Sequence, residues 1–100
     1  MNKLDLLCQD FFTKEKMVGF GIGKLTMTRV RKLFTDDRYR LHGLTVGKLL
    51  EKFQYQHLRR SRFVGPRAIA AINVLLRSEN LPEFLPPSPS YEAKIYKGYR

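Results

Sequence analysis

Four stretches of this chain set apolar residues on one face of a helical period, and glycine or proline interrupts the chain between them. That pattern most restricts what the chain can become, because a face repeating every three to four residues is buried by a helix and not by a strand. Leu4, Leu7, Cys8 and Phe11 fall at i, i+3, i+4 and i+7, and Val46, Leu49, Leu50 and Phe53 repeat the stripe. Met27, Val30, Leu33 and Phe34 form a third face, and Ile69, Ile72, Leu75 and Leu76 a fourth. The run Met17-Val18-Gly19-Phe20-Gly21-Ile22-Gly23 disfavours a continuing helix through its glycines. After Thr35, either Asp36 or Asp37 is suited to cap a short helix running towards Leu41. Pro66 after Gly65 is pre-set for a first helical position, and Asn80 followed by Pro82 marks a stop. No segment alternates at period two for long enough to propose a strand. The expected fold is all-α, a compact bundle of four to five short helices.

A chain of 100 residues makes one domain with a modest core. Residues 1–81 hold the helical pattern. Residues 82–100 read as a Pro-rich linker, with Pro82, Pro86, Pro87 and Pro89, followed by a basic, tyrosine-rich tail. Two readings of that tail stand open: a strap whose Ile95 and Tyr96 pack on the helices, or a mobile arm that follows a phosphate backbone or stacks on bases. A weak repeat relates 4–34 to 46–76. It sets Gly23 on Gly65 and the apolar stripes in phase, but Gly21 opposite Phe63, Lys24 opposite Pro66 and Leu25 opposite Arg67.

Nineteen Lys+Arg against nine Asp+Glu give a net charge of +10, which repels itself and attracts polyanions. Nucleic acid is the first expected partner, an acidic protein surface the second and an anionic membrane surface the third. Cys8 is the only cysteine, so no internal disulfide and no cysteine-built metal site is expected. No unbroken apolar run follows Met1, so neither a signal peptide nor a membrane span is expected. The expected location is cytoplasmic, on the nucleoid if the source is bacterial or a phage.

Two glycine turns carry the main chemical expectation. A turn of this kind converges backbone N–H groups, and the helix that follows presents its positive end, which together make an anion site. Gly21-Ile22-Gly23-Lys24 and Val64-Gly65-Pro66-Arg67 both have this form, with a cation at the start of the helix. This is the helix-hairpin-helix pattern; two ordinary helix corners are the other reading. A P-loop is excluded, because Val18 and Leu25 stand where its first glycine and its Ser or Thr belong.

Leu44-Thr-Val-Gly-Lys-Leu-Leu50 and the stretch from Leu58 through Val64-Gly65-Pro66-Arg67-Ala68 to Leu81 resemble the C-terminal domain of the bacterial RNA polymerase alpha subunit. The likeness covers residues 41–81. It implies a helix-hairpin-helix fold in which Gly65 and Arg67 meet the DNA backbone beside the minor groove, and it brings transcription regulation into view. Ala68 replaces a serine of that family, so one hydroxyl contact is lost. Arg29-Val-Arg-Lys-Leu-Phe34 lacks the family's triplet after its groove-inserting arginine, so the resemblance implies a phosphate contact without a groove preference.

A second basic feature is the cluster Arg59, Arg60, Arg62 and Arg67, anchored by Phe63 and Val64. Arginine gives planar two-pronged donation to phosphate, although a charge run also serves as a solvated face. Arg29, Arg31 and Lys32 form another set, with Arg38 and Arg40 beyond. Together these cations suit about six phosphates, for a slope of log K on log salt near −5. His42 and His57 lack sequence-local partners, Asp36-Asp37 suits a cap better than a metal, and the remaining acids are scattered. The expectation is a non-enzyme without cofactor or metal: a binder of double-stranded nucleic acid through Gly21, Gly23, Lys24, Gly65, Arg67 and the arginine sets. The competing class is a small basic regulator that docks on an acidic surface of a polymerase, nuclease or helicase.

Overall fold

Periodicity and capping are local signals, and where both agree the chain forms its longest helices. The computed structural model describes residues 2–61 and 64–92. Within them lie a 3-10 turn (Lys3–Asp5) and the helices α1 (Cys8–Phe11), α2 (Lys14–Gly19), α3 (Lys24–Thr35), α4 (Val46–Lys52), α5 (Tyr55–Arg59) and α6 (Pro66–Ser78). The fold is all-α, with six helices among the described residues where the sequence pattern suggests four or five. Its two halves each run short, short, long, and Gly23 and Gly65 are the N-caps of the long helices.

Two helices end on the same device. At the end of α2, Gly21 takes φ +75°, its N–H donates to the Val18 carbonyl at 3.0 Å, and the Ile22 N–H donates to the Met17 carbonyl at 3.0 Å. At the end of α6, Asn80 takes φ 58°, and the Asn80 and Leu81 amides donate to Arg77 and Leu76 at 3.0 and 2.9 Å. Both are Schellman motifs, in which one left-handed residue satisfies the last carbonyls of the helix.

The expected helix over Leu4–Phe11 is broken. Leu6 and Leu7 are extended, and Leu7 forms an antiparallel bridge with Thr45. The Cys8 N–H donates to Leu44 and the Val46 N–H donates to Leu6, both at 2.9 Å, so these long-range bonds replace local helical ones. Gly47 allows this arrangement: a Cβ there would meet the Leu4 carbonyl oxygen at 3.1 Å, tighter than ordinary packing. The helix expected towards Leu41 is also absent. The Asp36 carboxylate accepts from the Arg38 backbone N–H at 3.0 Å and from the Arg38 guanidinium at 2.7 Å, a local turn that competes with helix.

The core is centred on α3 and α6, which pack on each other. Val30, Leu33 and Phe34 of α3 and Ile69, Ile72, Leu75 and Leu76 of α6 are all buried. Phe12 stacks on Phe34 with ring centroids 5.0 Å apart, and Phe11 meets Phe12 edge-on at 4.9 Å. Stacked and edge-on aromatic pairs add to what area burial alone supplies.

Residues 82–86 carry no regular secondary structure and 87–90 turn into a helical start at Tyr91, yet the segment is not a free linker. Phe84 is buried, and Asn73 of α6 grips its backbone, with Oδ1 accepting from the Phe84 N–H at 2.7 Å and Nδ2 donating to the Phe84 carbonyl at 2.8 Å. Tyr91 lies edge-on to Tyr55, and Glu92 takes a two-pronged bond from Arg59, 2.8 Å on each arm. The Tyr55 hydroxyl also donates to Glu92. Through Glu92 the segment is therefore docked; Ile95, Tyr96 and the rest of 93–100 lie outside the described residues.

Candidate nucleic-acid interface

The first N–H groups of any helix lack intrahelical partners and carry the positive end of its dipole. Proteins usually answer with a capping oxygen or an acidic side chain, and several helices here do so. Thr13 caps α2 and Thr45 caps α4 through their hydroxyls, and Asp10 and Glu15 sit in the first turns of α1 and α2. α3 and α6 do neither. Their N-caps, Gly23 and Gly65, have no side chain to offer, and no acid stands in either first turn. Lys24 and Arg67 occupy those turns instead, placing a cation where the dipole disfavours one.

The two helix starts flank one groove. Leu25, Thr26 and Arg29 from α3, the N-cap Gly65, and Pro66 and Arg67 from α6 line a cavity of about 430 Å³. Gly23 and Gly65 have ordinary extended backbones, and a Cβ built on either would meet nothing within 4 Å. Neither backbone conformation requires glycine; what glycine leaves there is open space above the amides. Gly21 differs. Its N–H is spent on the α2 cap, so it does not serve as the amide donor that the sequence pattern suggests.

The basic residues separate into distinct groups. Lys24, Arg29 and Arg67 are exposed and have no carboxylate partner among the described residues, whereas Lys32, also exposed, acts on the Asp36 carboxylate through charge. Arg31 is half-buried, and its Nη1 donates to the Gln9 and Phe12 carbonyls, the latter at 3.1 Å, closing the end of α1. Arg59 is turned inward to Glu92 and also donates to the Val64 carbonyl at 2.9 Å. Arg31 and Arg59 are thus structural clamps, against the expectation that they join the basic face. Arg62 and Phe63 lie outside the described residues. Arg60 is exposed but lines a different cavity of about 460 Å³, together with Arg40, Lys52, Tyr39, Phe53 and His57. Sequence reading missed this second cavity, because its residues come from three separated segments and no local spacing connects them.

The acids that pair with cations do so outside the α3–α6 groove. Lys3 hydrogen-bonds Glu79, Arg77 hydrogen-bonds Glu83, and Arg59 hydrogen-bonds Glu92, and each contact lowers the carboxylate's pKa. Asp36 is likewise held well below the usual carboxylate range by the Arg38 hydrogen bonds. Burial pushes the Cys8 thiol up to about 12, which keeps it from acting as a thiolate nucleophile near neutral pH. Among the described residues no group of three or more His, Cys, Asp or Glu is placed to hold a metal, and no helix is long and apolar enough to cross a membrane. No protein family matches the chain, and no curated protein or solved structure is significantly similar to it.

Proposed function

We propose that this protein binds double-stranded nucleic acid, most naturally DNA, without catalysis, and that the α3–α6 groove is its phosphate seat. In this reading the two glycine turns act as a pair of helix-hairpin-helix units. The first-turn amides of α3 and α6 donate to phosphate oxygens, and Lys24, Arg29 and Arg67 supply charge-assisted bonds. The observation that carries the reading is the pairing of two acid-free helix starts, each capped by glycine, around one groove with unpaired arginines. A cation at a helix start is unfavourable until an anion arrives, and a bare glycine lets a bulky backbone approach the amides.

The test is anisotropy of a labelled random duplex titrated with protein at several salt concentrations. The expected dissociation constant at moderate salt lies in the range of about 10⁻⁴–10⁻⁶ M. With Lys24, Arg29, Lys32 and Arg67 as the contributing cations, the slope of log K on log salt is about −3.6, shallower than the −5 that a six-phosphate set gives. Arg67→Ala weakens all sequences alike and flattens the slope by about 0.9. Absence of binding at about 100 µM protein refutes the proposal, and capture by an acidic protein in its place transfers the groove to the docking class.

A further inference from the structure

We infer that the cavity formed by the 38–41 turn, the end of α4 and α5 is a second ligand site, one that takes a single unpaired nucleotide. The inference rests on this cavity alone and is independent of the duplex reading. Arg40, Lys52 and Arg60 line it from three separate segments, all three are exposed, and none has a carboxylate partner among the described residues. No Asp or Glu lines the cavity. Arg38, also on its wall, is already neutralised by Asp36 at 2.7 Å, so local pairing is available in this loop yet is not extended to the other cations. Three like charges drawn to one concavity repel one another, and a polyanionic group relieves that repulsion.

Charge alone would describe a bare anion site; the aromatic lining narrows the ligand. Tyr39 and Phe53, both half-buried, share the cavity with the cations. Phe53 stands at 86° to the His57 ring with centroids 6.1 Å apart. The Gln54 backbone N–H donates to His57 Nδ1 at 2.8 Å, so the neutral imidazole carries its proton on Nε2 and offers a donor. The site therefore combines cations for phosphate, aromatic side chains for a planar ring and one neutral N–H donor. A nucleotide joins a phosphate to a planar base, and its base is free to stack on protein only when it is not stacked within a duplex. A cavity of about 460 Å³ is within the size range of small-ligand pockets. The shared chemistry is an unpaired nucleotide, whether free or part of a strand.

The experiment uses the full chain carrying Arg67→Ala, so that the duplex groove is weakened and the two sites are read apart. Adenosine 5′-monophosphate, inorganic phosphate, adenosine and a ten-residue oligo-dA are titrated by amide chemical shift, following Phe53, His57 and Arg60. The nucleotide is expected to bind about tenfold more tightly than either phosphate or adenosine. Phe53→Leu, which keeps apolar volume but removes the ring, should cost about fivefold or more for the nucleotide and nothing for phosphate. Arg40→Gln with Lys52→Gln, both at exposed positions, should weaken nucleotide and strand together. An oligo-dA that binds more than about tenfold tighter than the free nucleotide and is displaced by it identifies a strand as the source; equal affinity identifies the free nucleotide. Equal binding of phosphate and nucleotide, or no nucleotide shift by about 10 mM, overturns the inference.

Discussion

Removing the carboxylate of Glu92 should undo a latch that holds residues 82–92 against the helices. Arg59 reaches it with two bonds of 2.8 Å, and the Arg59 side chain is only 9% exposed against 26% for Glu92. Hydrogen bonds to a charged partner contribute about 1.5–3 kcal/mol each when well shielded, whereas exposed ion pairs contribute about 0–1 kcal/mol in total. A pair with one shielded and one quarter-exposed member falls between these limits, so a coupling energy of about 1–2 kcal/mol is expected. A double-mutant cycle of Arg59→Gln and Glu92→Gln, read by urea unfolding, isolates it; the separate bond from Arg59 to Val64 cancels in the cycle. A coupling below about 0.3 kcal/mol would refute the latch.

The latch also has a pH signature on both sides. The Arg59 hydrogen bonds lower the Glu92 carboxyl, so its contribution is complete above the unfolded value near 4.3 and is lost as pH falls through the folded value. Tyr55 moves the other way: burial first, then its bond to Glu92, pushes its phenol up to about 12. Its contribution is complete below the unfolded value near 10 and fades as pH rises from there towards the folded one.

Gly21→Ala forces an L residue to φ +75° with no new steric contact, so it should destabilise the fold by about 1 kcal/mol in chemical unfolding. Gly23→Ser, at an unstrained N-cap, should instead stabilise by about 0.5 kcal/mol while weakening duplex binding, because its side chain fills the space above the α3 amides. If binding survives with full affinity, open space at Gly23 is not what the ligand uses. Arg31→Ala should cost about 1–3 kcal/mol of stability by leaving α1 carbonyls without their donor, and should leave the salt slope of duplex binding unaltered. Cys8 should resist a thiol reagent in native buffer and react promptly in denaturant; fast native labelling would contradict its burial.

What was readable in the sequence follows from how far each signal reaches along the chain. α3 and α6 were legible because an apolar period follows a glycine in each, and α6 also runs into the Asn80 stop. α2 was not, since Met17 is its one buried residue and a single apolar position has no period. The break at Leu6–Leu7 depends on Leu44 and Val46, and the docking of Phe84 depends on Asn73. The basic residues show the same limit. Arg31 and Lys32 are neighbours of like charge, yet Arg31 meets carbonyls 19 and 22 residues away while Lys32 is exposed. Composition counts both as field; only tertiary structure separates the clamp from the exposed cation. The groove was half visible, because its two glycine starts could be read singly while their convergence could not.

The bridge between Leu7 and Thr45 has a consequence for how this chain folds. It ties the residues before α1 to the start of α4, and the 3-10 turn rests on α4, so the first half of the chain completes itself on the second. α2 and α3 in turn pack on α6. A cut between α3 and α4 would thus leave each fragment without partners that its own sequence does not supply. The helix order suggests two units, but the threading is expected to give one cooperative transition in unfolding. Long-range closure must come before either half is secure, and it sets the entropic barrier to folding.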